Sequence, residues 1–228
     1  MPDVSQESIS AAERSGPSTR IAGTTIALCA GLGIVAIAFH PTVSTPEAAE
    51  RMADVARLGL IDRVVHGALI VWLGGLIFGF SAFCMRRGFD RATILAGFVA
   101  FAIGCAASIG ATLLDGFLAP AIGTRYAGTP QDSVRIANTV LEISALAIQI
   151  LTKVGVVALS AGILFWCADL VSSPRSRQVG VIGIASAILP VALVASGVAL
   201  TAHTVGIIVV VQAVWFIAVA TMLIREQL

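Results

Sequence analysis

The chain has 228 residues, 57% of them hydrophobic and 12% charged, with a formal net charge of +1 and a mean hydropathy of +0.97. An ordinary soluble domain carries roughly 25% charged residues, so this chain cannot cover its own apolar surface in water. The near-neutral balance leaves no basic footprint for nucleic acid. Apolar runs of about 20 residues, rather than alternating ten-residue segments, exclude a barrel and predict an all-α membrane protein.

From the start, Met1 to Arg20 is polar and aperiodic and reads as a disordered cytoplasmic tail. A first span, Ile21 to Phe39, lacks the small-residue cleavage pattern of a removable signal peptide and is expected to stay as a helix. Further spans are predicted over Ile61 to Cys84, Ile94 to Leu118, Ala145 to Val171, Val179 to Leu200 and Val205 to Ile224. Pro190 falls at mid-depth in the fifth, where its ring removes one backbone hydrogen bond and favours a kink. The expected architecture is six transmembrane helices in three hairpins forming one domain over residues 21–228, with short amphipathic helices in the outer segments.

Orientation follows from the arginines. The short connection from Met85 to Thr93 holds Arg86, Arg87 and Arg91, and that from Ser172 to Gln178 holds Arg175 and Arg177. The positive-inside rule assigns both to the cytoplasm, which puts both termini there as well and predicts a multi-pass plasma (inner) membrane protein. Thr45-Pro46-Glu47 and Thr129-Pro130-Gln131 each precede an R-[MI]-A-[DN] segment, Arg51 to Asp54 and Arg135 to Asn138. Thr as N-cap and Pro at the first helical position predict in each outer segment the start of a helix that leads into the next span. With Gly75 to Phe78 matching Gly162 to Phe165 after a three-residue insertion, the pattern predicts that the first two hairpins, residues 21–84 and 94–171, are a parallel internal repeat, with residues 179–224 as a third hairpin.

Counting 1.5 Å per residue from the cytoplasmic ends puts His40, His66, Asp115, Lys153 and His203 in one layer near the outer interface. Ionisable groups at such depth are costly and mark a functional site by default. On the third span Gly97, Gly104, Ser108, Ala111 and Asp115 share a stripe, which turns Asp115 into the bundle. On the fourth, Arg135, Asn138, Glu142, Gln149, Lys153 and Ser160 form a polar stripe. Asp62, Arg63 and His66 share a face of the second. The candidate ligand or ion site is therefore His40, His66, Asp115, Lys153, His203, Arg63, Glu142 and Gln149.

Three chemistries compete for that layer. His40, His66 and His203 with Asp115 form a shell suited to a divalent metal, Zn²⁺ or copper. The same layer can act as a vestibule for a small anionic or neutral ligand, as in a transporter. Haem between two histidines is the third, weaker for want of histidine pairs at both faces. Against all three stands a structural reading, in which an Asp115–Lys153 ion pair fixes helix packing and the chain is an accessory subunit of a membrane complex or a homo-oligomer. Beyond the lipid bilayer and an ion or ligand, no partner is named by the sequence. An enzyme is the weaker reading, because no nucleophile and base stand together.

Overall fold

A computed structural model of the protein describes residues 17–43 and 45–226. Most of the expected N-terminal tail lies outside the described residues, but residues 17–20, assigned to it from sequence, are already helical. The elements are α1 (Pro17–Ala38), α2 (Ala48–Arg87), α3 (Ala92–Leu113), a π-turn (Leu114–Leu118), α4 (Ala119–Tyr126), α5 (Gln131–Val171), α6 (Arg177–Ala195) and α7 (Ala202–Ile224). Six of the helical segments are long and apolar enough to cross a membrane, those of α1, α2, α3 with α4, α5, α6 and α7.

Two helices are far longer than a span. At 1.5 Å per residue the 40 residues of α2 and the 41 of α5 run about 60 Å, twice the hydrocarbon core of about 30 Å. Two outer segments are the N-terminal halves of α2 and α5, projecting past the apolar zone, so each begins a helix that runs on into the next span, and α4 alone is short and separate. The helix starts also differ from expectation. The N-caps are Glu47 and Pro130, neither with a side-chain cap bond, because Thr45 spends its hydroxyl on Asp54 (2.5 Å) and Thr129 on the Tyr126 carbonyl. A residue before proline is held extended, which keeps both threonines out of the first turn.

The six spans close into a ring in which α1 packs on α2 and α7, α2 on α3, α3 on α5, α5 on α6, and α6 on α7. Lipid chains are as apolar as leucine, so close packing rather than water exclusion must hold such a ring. The α3–α5 seam is built for it: Gly97 and Gly104 lie against Gly162 and Gly155, backbone on backbone. Outward-facing Leu28, Leu60 and Val71 are 66–73% exposed, a surface suited to acyl chains. Helix α6 runs on through Pro190, which is buried.

Inside the ring, Phe80, Trp166 and Trp215 pack with near-parallel planes, Phe80 5.0 Å from Trp166 and 5.4 Å from Trp215 and the two indoles 6.1 Å apart, centroid to centroid. Phe83, Phe101 and Phe216 close around them edge-on or tilted. At the same end Asp169, 7% exposed, receives Arg87 and Arg91 from across the α2–α3 connection. Among the described residues the bundle is thus closed by aromatic rings and an ion cluster at the end where α2 and α5 finish, and its cavities lie toward the end that carries the histidines. All four cysteines are buried and unpaired.

Candidate functional site

His40 follows the last turn of α1, His66 lies midway along α2, and Asp115 is the second residue of the π-turn below α4. These three are brought together. His66 Nε2 stands 3.3 Å and His40 Nε2 3.5 Å from the same Asp115 Oδ2, and the imidazole centroids are 4.8 Å apart, edge to face.

Local sequence explains the convergence. A π-turn carries an extra residue, which widens the helix and re-aims its side chains; such turns recur at functional sites. Here it begins beside Gly116, whose missing side chain lets the backbone lie directly on the His66 ring. A β-carbon at Gly116 would collide with His66 Cβ and Cγ, so α3 can approach α2 this closely only with glycine there.

The tautomers of both imidazoles follow from their partners. His66 Nδ1 meets the Asp62 carboxylate at 2.9 Å and the Asp62 carbonyl at 2.8 Å, and His40 Nδ1 meets the Pro41 carbonyl at 2.9 Å. Those partners can only accept, so each Nδ1 is the donor. A neutral imidazole so held points its Nε2 lone pair at the Asp115 carboxylate, and three acceptors then face one another. Only a cation or added protons can relieve that repulsion. This is the arrangement metal-ligating histidines adopt, with the distal nitrogen tied to a carboxylate or backbone carbonyl. A tetrahedral ion with bonds of 2.0–2.2 Å sets its ligand atoms about 3.3 Å apart, close to the separations from Asp115. The three donor atoms all lie within 4.8 Å of one another.

The cluster sits between two chambers. The inner one, of about 330 Å³, is lined by His40, His66 and Asp115 at its mouth and by Leu69, Trp72, Leu73, Val156, Leu159 and Ile208 along its walls. Trp72 is 8% exposed and its indole N–H has no acceptor. The other chamber, of about 260 Å³, lies among the projecting halves of α2 and α5 and is lined by Arg51, Asp62, Glu142 and again Asp115. Asp115 belongs to both, as the gatepost between them.

The remaining expected site residues lie elsewhere or are otherwise engaged. His203 is exposed and lines a third, apolar groove between α1 and α7, since α7 turns Ala202, Val205 and Val209 toward the inner chamber and His203 away. Among the described residues, those close enough to share one ion are His40, His66 and Asp115, without His203. Lys153 is half-buried and no carboxylate among the described residues pairs with it; Asp115 pairs with the histidines instead. Arg63 is exposed and lines neither chamber. Glu142 accepts from Asn138, which accepts from Arg51 and so ties α5 to the start of α2. Gln149 both donates to the Leu200 carbonyl (2.9 Å) and accepts from the Leu200 N–H (3.3 Å), pinning the α6–α7 turn. Asp62 was visible in sequence only as a neighbour of His66 at helical spacing, and the π-turn had no signal beyond the Asp115-Gly116 dipeptide.

No known protein family, no curated protein and no solved structure matches the chain.

Proposed function

We propose that this multi-pass membrane protein binds a divalent transition metal, zinc or copper, through His40 Nε2, His66 Nε2 and the Asp115 carboxylate. One observation carries the reading: two imidazoles, each tied at Nδ1 by an acceptor of its own segment, aim Nε2 at a single carboxylate oxygen at 3.3 and 3.5 Å. Three protein ligands leave one tetrahedral position open toward the chambers, the pattern of a reactive or exchangeable site rather than a closed structural one. Asp62 acts behind His66 by fixing its tautomer and raising its basicity. With the arginine-rich connections in the cytoplasm the site faces outward, reached through the Arg51–Glu142 chamber, and the chain is an inner-membrane protein with both ends inside. The long helices α2 and α5 each follow a T-P segment and, allowing a three-residue insertion in α5, carry His66 and Lys153 at corresponding positions, which supports reading residues 21–84 and 94–171 as a duplicated hairpin. Ring centroids 4.8 Å apart leave no room for a porphyrin between the imidazoles, which counts against haem.

The second reading treats the cluster as an interhelical ion pair of protonated imidazoles, in a chain that serves as accessory subunit or homo-oligomer. Gln149 and Arg51, both spent on holding backbone or helix neighbours, favour it. Elemental analysis of protein purified without chelator, followed by calorimetric titration with Zn²⁺ and Cu²⁺, separates the two. The metal reading expects one ion per chain, and a loss of at least tenfold in affinity on His66→Ala and on Asp115→Asn. Wild-type protein that holds no ion, or variants that bind as tightly as wild type, would leave the packing role alone standing.

A further inference from the structure

The inner chamber is larger than an ion needs. At about 30 Å³ per water, its 330 Å³ would have to hold about eleven waters against walls that are mostly hydrocarbon. A volume of this size is that of a small-molecule site, which usually combines apolar walls with a few convergent polar groups. The ionisable groups here lie at the mouth, and the neutral Ser108, Thr112, Gln149 and Thr152 interrupt the apolar walls below it. At the floor, Gln212 turns its amide to Ser160 Oγ (3.4 Å), and beyond it stand Trp166, Trp215 and Phe80.

The chamber also has a side wall one side chain thick. Ile37 and Ala202 line both the chamber and the groove between α1 and α7, a cleft of about 490 Å³ otherwise bounded by residues such as Ile34, Ile207 and Val210. Both helices are apolar spans, so that cleft opens to acyl chains. A β-carbon at Gly206 would lie 3.0 Å from Ile37 Cγ2. Ile37 therefore rests on Gly206 and, with Ala202, is what separates the chamber from the cleft.

We propose that the inner chamber takes up a medium-chain carboxylate that enters laterally from the bilayer past Ile37, places its carboxylate on the metal ion, and lays its chain along Leu69, Trp72 and Leu159. The head-group part rests on the metal reading. Two neutral imidazoles and one carboxylate leave a divalent ion with net charge +1 and an open position, which an anionic oxygen donor fills. The depth sets the chain length. Below the ligands the chamber runs seven residues of α2, His66 to Leu73, and seven toward α3, Asp115 to Ser108, about 10 Å, against about 15 Å for one leaflet's hydrocarbon. It holds a chain about two-thirds as long as a membrane acyl chain, in the decanoate range.

The test uses 10-bromodecanoate as probe with the full chain in lipid nanodiscs, reading tryptophan emission, because bromine quenches on contact. Of the three tryptophans, Trp72 alone lines the chamber. Zinc-loaded protein should show saturable quenching that is absent in Trp72→Phe. Methyl 10-bromodecanoate, 16-bromohexadecanoate and chelator-treated protein should each bind at least tenfold more weakly. Ile37→Phe should slow uptake from vesicles at least fivefold while leaving zinc content unchanged. Zinc at one per chain with no saturable quenching overturns this proposal alone. So does quenching that survives Trp72→Phe, or an ester that binds as well as the acid. Absence of zinc in the elemental analysis overturns both this proposal and the site it rests on.

Discussion

Replacing Gly116 by alanine tests whether close approach of α3 to α2 assembles the site. The new methyl carbon would lie 2.7 Å from His66 Nδ1 and nearer still to its ring carbons, whereas carbon contacts are comfortable only from about 3.5 Å. Relief requires the π-turn and α2 to part by about 1 Å. That motion takes the His66–Asp115 separation from 3.3 Å to about 4.3 Å, well past the tetrahedral edge of about 3.3 Å. Overpacking costs about 1–3 kcal/mol of stability. Loss of one ligand from the shell costs metal affinity at least as much as loss of a supporting residue, about 10–100-fold. Gly67→Ala is the control: it adjoins His66, its β-carbon meets nothing within 4 Å, and a helical Gly→Ala change is neutral or stabilising by up to about 1 kcal/mol. Thermal unfolding in detergent and zinc titration should separate the two variants on both readouts. Gly116→Ala protein that binds zinc like wild type would refute the idea that backbone contact at this glycine sets the ligand geometry.

Asp62→Asn keeps an acceptor beside His66 Nδ1 but removes its charge, so zinc affinity should fall about 10–100-fold with little change in melting temperature. Acidification should release the ion, since each proton bound to a ligating imidazole competes directly with the metal; zinc retained by equilibrium dialysis should fall steadily as pH drops and recover on neutralisation. At the sealed end, Asp169→Asn leaves Arg87 largely buried without a counter-charge and should cost about 3 kcal/mol, whereas Arg91→Gln, at a side chain 53% exposed, should change stability little. Phe80→Ala removes a fully buried ring packed on both Trp166 and Trp215 and should cost about 3–5 kcal/mol without altering zinc affinity.

Hydropathy made the spans legible because a bilayer imposes length and composition together, and neither depends on neighbours. It could not show where a helix stops once outside lipid; the T-P segments supplied that signal, marking helix starts within two residues of where α2 and α5 begin. The site was legible in height but not in azimuth. Counting residues put His40, His66, Asp115, Lys153 and His203 at one level, yet each residue turns a helix by 100° and the rotation of each helix about its axis is set by packing. The small-residue stripe of α3 fixed that rotation for Asp115, because Gly97 and Gly104 had to meet α5. Nothing comparable constrained α7, so His203 was counted with the cluster although its face turns toward the lipid-side groove. Lys153 is the same error on α5: Gln149, Thr152 and Val156 line the chamber, and Lys153 lies beside that arc.

The aromatic floor bears on what a metal could do here. Moving an ion across this bundle would require a path past Phe80, Trp166 and Trp215, stacked with interplanar angles of 5–15° and enclosed by three more phenylalanines. Such contacts are individually weak but are lost together, since a close-packed core gives way in discrete rearrangements rather than by gradual loosening. Below the floor, Asp169 is tied to two arginines that would repel an arriving cation. The polar groups therefore form a dead end that begins at the Arg51–Glu142 chamber and stops at Gln212 and Ser160. The proposed metal site, entered from one face with an open position above mostly apolar walls, would be suited to holding an ion against a second ligand. Conduction of ions from one side of the membrane to the other asks for a continuous polar path, and the rings of Phe80, Trp166 and Trp215 stand in its way.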